Sequence, residues 1–246
     1  MSFGIAFTER DARILVFLKE QGVATLDQIE KLFFVSNDSA RRRISLLCRA
    51  GLIESVLLSR GLSLVPSRGL ELKKYYQSIG VQWQKVRLYR LTKDLSGTEE
   101  QFNSALSEPI FWQHQLGLNE VRVILSSILP KGVFLSDPET KSEWSRFKMG
   151  EEVPIPDLVW RGEKKELAFE YERTNKGEMR YFHRFSKYER SSYAKILYIA
   201  NSTDIFEQLR KIAMRFPKIG VTERSNLSKV FVGQSGYISI SSFLEA

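Results

Sequence analysis

Two apolar runs, residues 155–160 and 167–172, flank the short charged segment 161–165, and this pattern constrains the fold more than any other part of the sequence. Two such runs joined by a short loop that contains a glycine are typical of a β-hairpin. Side chains alternate between the two faces of a strand, so we expect Glu170 and Glu172 to share a face. The sequence therefore predicts two neighbouring carboxylates on a strand that would otherwise be buried.

A third acid, Asp157, stands where the first run of the hairpin begins. Carboxylates this close repel one another unless a cation joins them. Hard divalent ions prefer carboxylate and water oxygens, so the sequence predicts a site for Mg²⁺ or Mn²⁺ with Asp157, Glu170 and Glu172 as ligands. A zinc cluster is excluded by spacing, because the chain has one cysteine, Cys48, and two histidines that lie far apart.

A competing interpretation of the same pattern is a solvated hairpin whose acids pair with basic neighbours. Those neighbours are Arg161, Lys164, Lys165 and Arg173.

Basic residues recur at spacings of three or four after the hairpin, which predicts one stripe of a helix. They are Arg173, Lys176, Arg180, Arg184 and Lys187. A neighbouring aromatic stripe consists of Tyr181, Phe185 and Tyr188. Cations beside a metal–carboxylate cluster could hold the oxygens of a phosphodiester backbone. An ordinary amphipathic helix with a solvated basic face predicts the same periodicity.

Regular elements are expected on both sides of this region. Helical spacing of apolar residues predicts a helix over 110–129, which carries Glu120. Residues 195–200 predict a buried strand, and Ser202 predicts the start of a helix that runs to about Arg215.

The N-terminal third predicts three short helices, introduced by Thr8, Thr25 and Ser36, and then two strands, 52–58 and 62–65. This order is that of a winged helix-turn-helix, whose third helix enters the major groove of DNA. The arginines expected to contact DNA lie on this helix and in the wing, and on the basic stripe of the second part of the chain. They are Arg41, Arg42, Arg43, Arg49, Arg60 and Arg68, followed by Arg173, Arg180 and Arg184.

Charge supports a division into a winged-helix DNA-binding domain over 1–95, a linker over 96–109 and an α/β domain over 110–246. Residues 1–95 contain 16 Lys and Arg against 9 acids, whereas the remainder contains 21 against 20, so nearly all of the net charge of +8 falls in the first part. The first domain is therefore expected to anchor DNA and the second to carry the chemistry. We find no apolar run of membrane-spanning length and expect a cytoplasmic, bacterial protein with no membrane partner.

At Pro156-Asp157 and Glu170-Tyr171-Glu172 the sequence resembles the PD-(D/E)xK restriction-endonuclease-like superfamily. The resemblance implies an α/β nuclease domain with a divalent metal. In that superfamily the first helix of the core often supplies a carboxylate to the metal, and Glu120 is here either that ligand or a surface acid. The family usually has lysine where this chain has Glu172. The role of that lysine would pass to Glu172, which would bind metal or orient the attacking group, or to Lys176 or Lys187.

The combination with a winged helix resembles the replication-relaxation group, and within it the MobC-type relaxases of mobilisable plasmids. The matching positions are 67–72, His114, Asn119-Glu120, Glu143-Trp144, 156–158, 169–174 and Lys187-Tyr188. The resemblance implies sequence-specific, metal-dependent nicking of one DNA strand at a plasmid transfer origin, together with a coupling or accessory mobilisation protein.

Three alternatives remain open from the sequence. The attacking group is either a water molecule or one of Tyr171, Tyr181 and Tyr188. The protein could instead be a DNA-binding regulator of replication or transcription, with the nuclease fold as a scaffold that does not catalyse. It could also be a hydrolase that cuts both strands.

Overall fold

The structure is a computed structural model, and it divides the chain into two compact units, Met1–Ile124 and Leu125–Ala246. The residues that it describes are 5–57, 86–92, 109–135, 140 and 154–245. These described residues form seven α-helices and ten β-strands, with a large mixed sheet. The prediction of a chain that mixes α and β structure is therefore confirmed.

Three helices open the first unit, and local capping sets where each of them begins. They are α1 (Glu9–Gln21), α2 (Leu26–Phe33) and α3 (Asn37–Arg49). Thr8 and Thr25 each form a capping box with the third residue of the helix, and the Ser36 hydroxyl accepts a hydrogen bond from the Ser39 amide. These side chains satisfy amide groups that have no partner in the first turn. All three predicted helix starts are confirmed.

A three-stranded antiparallel sheet, ordered β1-β3-β2, completes the described part of the first unit. Its strands are β1 (Ala24–Thr25), β2 (Ile53–Leu57) and β3 (Arg87–Leu91). Strand β3 pairs with β2 over its whole length, from Leu91 opposite Ile53 to Arg87 opposite Leu57. The strand predicted over 62–65, and the turn before it that contains Arg60, lie outside the described residues.

Helix α4 (Pro109–Ile128) matches the helix predicted over 110–129. Buried amide side chains join it to the beginning of the first unit: Gln115 donates to the Oε1 atom of Gln21 at 2.6 Å and Asn119 to the Val23 carbonyl at 2.8 Å. The division of the chain into two units falls within this helix, after Ile124, whereas the sequence places the domain boundary in a linker over 96–109. The structure does not describe most of that linker, and the domain assignment stays a prediction.

The second unit is built on a seven-stranded sheet ordered β10-β9-β8-β7-β6-β5-β4. The strands are β4 (Val133–Leu135), β5 (Leu158–Arg161), β6 (Glu166–Glu172), β7 (Lys195–Ala200), β8 (Ile219–Glu223), β9 (Lys229–Val232) and β10 (Gly236–Ser239). Strands β6, β7 and β8 run parallel, and the other neighbouring pairs are antiparallel. Strand β6 therefore has a neighbour on each side, and its side chains are buried on both faces.

The predicted hairpin is confirmed as β5 and β6, with Leu158 opposite Phe169 and Arg161 opposite Glu166. The amide of Gly162 donates to the carbonyl of Lys165 at 3.0 Å and closes the turn.

Three helices follow strands of this sheet: α5 (Glu178–Glu189), α6 (Thr203–Ala213) and α7 (Ile240–Glu245). The aromatic stripe of Tyr181, Phe185 and Tyr188 is fully buried, and the ring of Phe185 lies 4.6 Å from that of Tyr198 on β7. The predicted buried strand over 195–200 is confirmed. Helix α6 starts at its predicted cap, Ser202, and ends two residues before the predicted end.

The prediction that one helix carries all five residues of the basic stripe is wrong for the first two, because Arg173 and Lys176 precede α5. The backbone turns here: the Asn175 side chain accepts a hydrogen bond from the Gly177 amide at 2.8 Å. Gly177 has φ of +86°, a conformation that is not helical and that favours glycine. The helix can therefore begin only after this residue.

Among the described helices, none combines the length and the apolar character needed to cross a membrane.

Candidate functional site

Glu170 and Glu172 lie on the same face of β6, as the alternation predicts, and each is only 1% exposed. The interpretation as a solvated hairpin is therefore wrong. Its expected pairing also differs, since Arg161 bonds instead to Glu166 at 2.7 Å, at the start of the strand. Two carboxylates buried on a central strand are costly unless each has a compensating partner.

Asp157 immediately precedes β5 and is half-buried. Its Oδ2 atom accepts a hydrogen bond of 2.8 Å from the backbone amide of Tyr171, the residue between the two glutamates. This hydrogen bond from the backbone of β6 holds the Asp157 carboxylate beside that strand. The structure thus brings Asp157 to the strand of Glu170 and Glu172.

Glu170 is held by two donors from α5. Its Oε1 atom accepts from Arg184 at 2.6 Å and from the hydroxyl of Tyr188. Burial, followed by the nearby negative charge of Asp157, raises the pKa of Glu170 to about 8, and these two donors only partly oppose the rise. Glu172 also contributes to this rise. Asp157 and Glu172 are therefore close enough to Glu170 to disfavour its charged form.

Glu172 has one satisfied oxygen and one without a partner. Its Oε1 atom accepts from Lys176 at 2.8 Å. Its Oε2 atom is buried and has no hydrogen-bond partner among the described residues. Of the two lysines proposed to replace the usual family lysine, Lys176 thus bonds directly to an acid of the site. Lys187 lies half-buried on α5.

Carboxylate oxygens, the donor atoms of this cluster, are the ligands that hard divalent cations prefer. The carboxylates repel one another, and one of their oxygens is buried without a partner. Mg²⁺ is commonly bound by one or two carboxylates together with water. Within the described residues, however, no group of three His, Cys, Asp or Glu side chains is placed to hold a metal. The bound ion therefore stays a prediction, as does Glu120, which is half-buried on α4 in the first unit.

The three tyrosines considered as nucleophiles are all buried, and each hydroxyl is a donor within the protein. Tyr171 donates to Asn201 at 2.7 Å, Tyr181 to the Thr174 carbonyl at 3.1 Å, and Tyr188 to Glu170. Burial raises the pKa of Tyr181 to about 12 and that of Tyr188 further above its ordinary value. None of the three presents a free hydroxyl or an accessible phenolate.

The basic residues predicted to contact DNA fall into different environments. Arg41, Arg42 and Arg49 are exposed on α3, and Arg180 is exposed on α5. Arg173 is half-buried before α5. Arg60 and Arg68 lie outside the described residues.

Arg43 and Arg184 each bind a buried acid. Arg43 donates to Asp11 of α1 through Nε at 2.6 Å and through Nη2, and Arg184 donates to Glu170. The sequence placed both arginines among the residues expected to contact DNA. It could not show their acidic partners, because Arg43 and Asp11 lie on different helices, α3 and α1, and come together only in the folded protein. Spacing gave no signal for Tyr188 as a partner of Glu170 either.

Comparisons with protein-family models, with curated proteins and with solved structures found no match to this chain.

Proposed function

We propose that this protein is a metal-dependent enzyme that nicks DNA, with a DNA-binding first unit and a second unit that carries the chemistry. The observation that carries this proposal is the placement of Asp157 beside buried Glu170 on adjacent strands, close enough to contribute to raising the pKa of Glu170. Buried acids that repel one another are characteristic of functional sites rather than of a stable core.

The arrangement of the first unit supports a winged helix. Its described elements follow the order helix, short strand, two helices and two strands, and the sheet order β1-β3-β2 places the last strand in the centre. The third helix of such a unit enters the major groove. Here that helix is α3, and Arg41 and Arg49, eight residues apart on it, are exposed.

The second unit supports a core of the restriction-endonuclease type. Among its described elements, the antiparallel strands β4, β5 and β6 are followed by the helix α5 and by β7, which pairs parallel to β6. Helix α4 precedes them in the chain, with its last residues, 125–128, in this unit. Asp157 stands at the start of the middle antiparallel strand, and Glu170 and Glu172 lie on the next. This placement supports the assignment of the Pro-Asp and Glu-x-Glu motifs. Glu172 stands where the family usually has lysine, and Lys176 bonds to it at 2.8 Å.

In the proposed mechanism Asp157 and Glu170 would hold the ion, and Glu172 would bind it or orient the attacking group. Bound Mg²⁺ or Mn²⁺ would polarise the scissile phosphate and activate water. Lys176, which Glu172 holds through their ion pair, would stabilise developing negative charge with its ammonium group. The buried and hydrogen-bonded tyrosines favour water as the attacking group.

A plasmid transfer origin as substrate, and an accessory or coupling mobilisation protein as partner, are proposed on the family resemblance described above.

The test is incubation of the purified protein with supercoiled plasmid that carries the native transfer origin, in Mg²⁺, Mn²⁺ or EDTA. We expect metal-dependent conversion to open circles, which Asp157→Asn and Glu170→Gln each abolish. Glu166→Gln is the matched control, because Glu166 is on the same strand but pairs with Arg161 at the turn. Linear product would instead indicate double-strand cutting, and intact DNA under all conditions would contradict catalysis.

A second candidate is a DNA-binding regulator in which the nuclease-like unit does not catalyse. The ion pairs of Arg184 with Glu170 and of Lys176 with Glu172 favour it, because they supply positive charge to both acids without a metal. DNA binding that is unaffected by EDTA, with no cleavage in Mn²⁺, would support this candidate.

A further inference from the structure

A cavity of about 600 Å³ lies in the first unit between the beginning of α1 and the side of α3. Its lining includes Arg10 and Arg13 from α1 and Arg42 and Arg43 from α3. Arg10 and Arg13 are three residues apart and therefore lie on the same side of α1. Nothing in the hairpin or in the acids of the second unit accounts for this group of arginines.

The charge of this cavity is positive, although one arginine is neutralised. Arg43 forms an ion pair with buried Asp11, so these two charges cancel. The charges of the other three arginines of the lining are not neutralised by Asp11. Arg10, Arg13 and Arg42 are exposed, and Glu9 is the acidic residue of the lining. The cavity thus offers a site for an anion.

Two of these guanidinium groups are held in place by aromatic rings. The guanidinium carbon of Arg10 lies 5.0 Å from the centre of the Phe34 ring, and that of Arg13 lies 5.7 Å from the centre of the Phe33 ring. Such cation–π contacts limit the conformations of the two arginine side chains before any anion binds. Less conformational entropy is therefore lost on binding. The planar fork of arginine suits phosphate oxygens.

The cavity adjoins the helix proposed to enter the major groove. Arg42 lines the cavity and is also exposed on α3. Arg49, two turns further along, lies on the same side of the helix as Arg42, and neither Arg41 nor Arg49 belongs to the lining. An element beside a helix in the groove meets the sugar–phosphate backbone rather than base edges.

We propose that Arg10 and Arg13, with Arg42, bind backbone phosphates of duplex DNA next to the groove that α3 occupies, and that Arg43 positions α3 through Asp11. This site rests on the DNA-binding half of the proposed function and not on catalysis. It extends the DNA interface to α1, which the sequence did not indicate.

The test measures binding of a short mixed-sequence DNA duplex by the full chain in EDTA, over a series of salt concentrations. Each phosphate contact adds about 0.9 to the slope of log affinity against log salt. We expect the double variant Arg10→Ala/Arg13→Ala to lower this slope by about 2 and the affinity at low salt by about tenfold or more. Lys211→Ala is the matched control, because Lys211 is an exposed cation on α6 of the second unit.

An unchanged slope in the double variant, with thermal unfolding like that of the wild type, would overturn the proposal. Weaker binding with an unchanged slope would also overturn it, since the contact would not be ionic. Arg10→Lys/Arg13→Lys keeps the charges, so we expect it to retain the slope and lose only part of the affinity.

A separate titration with inorganic phosphate distinguishes a free anion from DNA. Phosphate binding that depends on Arg10 and Arg13, together with DNA binding that does not, would assign the cavity to a small anion and overturn our assignment. If the duplex-binding result is as expected but no plasmid is nicked, the proposed catalysis fails and this site stands. If nicking occurs and the slope does not change, only this site fails.

Discussion

Arg184 donates to the Oε1 atom of Glu170 at 2.6 Å, and this bond joins the middle of α5 to β6, an interior strand of the seven-stranded sheet. Glu170 is 1% exposed, and a carboxylate at such a position is tolerated only when it has donors or a proton. The bond therefore has two consequences, one for the stability of the protein without metal and one for its response to pH.

Arg184→Met removes the cationic partner of Glu170, and we expect it to lower the free energy of unfolding in EDTA at pH 7 by about 2 to 3 kcal/mol. The expected loss is smaller than the roughly 3 to 5 kcal/mol usual when one partner of a buried ion pair is removed. The reasons are that the Arg184 side chain is partly exposed and that Glu170 can take up a proton. Urea unfolding measures the effect. Arg180→Met, on the exposed part of the same helix, is the control and is expected to stay within about 0.5 kcal/mol of wild type. Equal effects of the two variants would contradict a structural role for the Arg184 bond.

The pKa of Glu170, about 8, lies above the value of 4.5 expected for an unfolded glutamate. Between these two pH values the folded protein retains a proton that the unfolded chain has lost. The free energy of unfolding is therefore expected to fall as the pH rises through this window, by up to about 1.4 kcal/mol per unit of pKa shift. Glu170→Gln removes this titration, so denaturation curves recorded in EDTA from pH 5 to about pH 8.5 should depend less on pH than those of the wild type.

Binding of a divalent ion is expected to reverse that trend, because the ion stabilises the charged form of Glu170. Excess Mn²⁺ should raise the melting temperature more at pH 8 than at pH 5.5, since an ion must displace protons from its ligands. The readout is thermal unfolding and does not depend on DNA cleavage. The rise should disappear in Asp157→Asn and persist in Glu166→Gln; a rise of equal size in all three proteins would place Mn²⁺ elsewhere.

Neighbouring arginines on α3 are expected to give opposite results. Burial acts to raise the pKa of Asp11, but hydrogen bonds from Arg43 and Thr8 outweigh it and keep that pKa below the ordinary value. Arg43→Ala should therefore destabilise the protein by about 3 kcal/mol, because Asp11 stays buried without its cationic partner and retains only the hydrogen bonds from Thr8. Arg42→Ala should leave the melting temperature nearly unchanged and weaken DNA binding. Chemical denaturation and duplex titration, applied to both variants, decide between these roles.

The tyrosine variants test which group attacks the phosphate. If water attacks, Tyr171→Phe and Tyr181→Phe should still nick DNA, since neither hydroxyl is free, and no protein–DNA adduct should survive denaturing electrophoresis. Tyr188→Phe removes a donor to Glu170, so its rate is expected to change, again without loss of all product. A covalent adduct that one of these substitutions abolishes would identify that tyrosine as the nucleophile.

The elements that the sequence predicted most accurately depend on local chemistry. The caps at Thr8, Thr25, Ser36 and Ser202 each involve a hydrogen bond to a residue only three positions away, so the residue types are enough to locate the helix starts. The hairpin depends on a short turn between two apolar runs. The shared face of Glu170 and Glu172 follows from strand alternation alone.

The pairing of strands that are far apart in the chain could not be predicted from local sequence patterns. The partner of β2 is β3, which follows it only after residues 58–86, and no local pattern indicates that choice. Strands β8, β9 and β10 carry the sheet beyond the part that the sequence predicted. The sequence placed the start of α5 too early. The basic residues keep helical spacing from Arg173 onwards, although the backbone turns at Asn175 and Gly177 and the helix begins only after that turn.

The sequence by itself determined that two carboxylates share a face of one strand, with a third near the partner strand, because alternation and turn length are local properties of the chain. Only the tertiary structure decided that Arg184 and Tyr188 bind Glu170, that Lys176 binds Glu172 and that Arg43 binds Asp11. These contacts depend on how helices pack on other elements, and a periodic pattern gives a side chain's position on its helix but not the partner that it meets there.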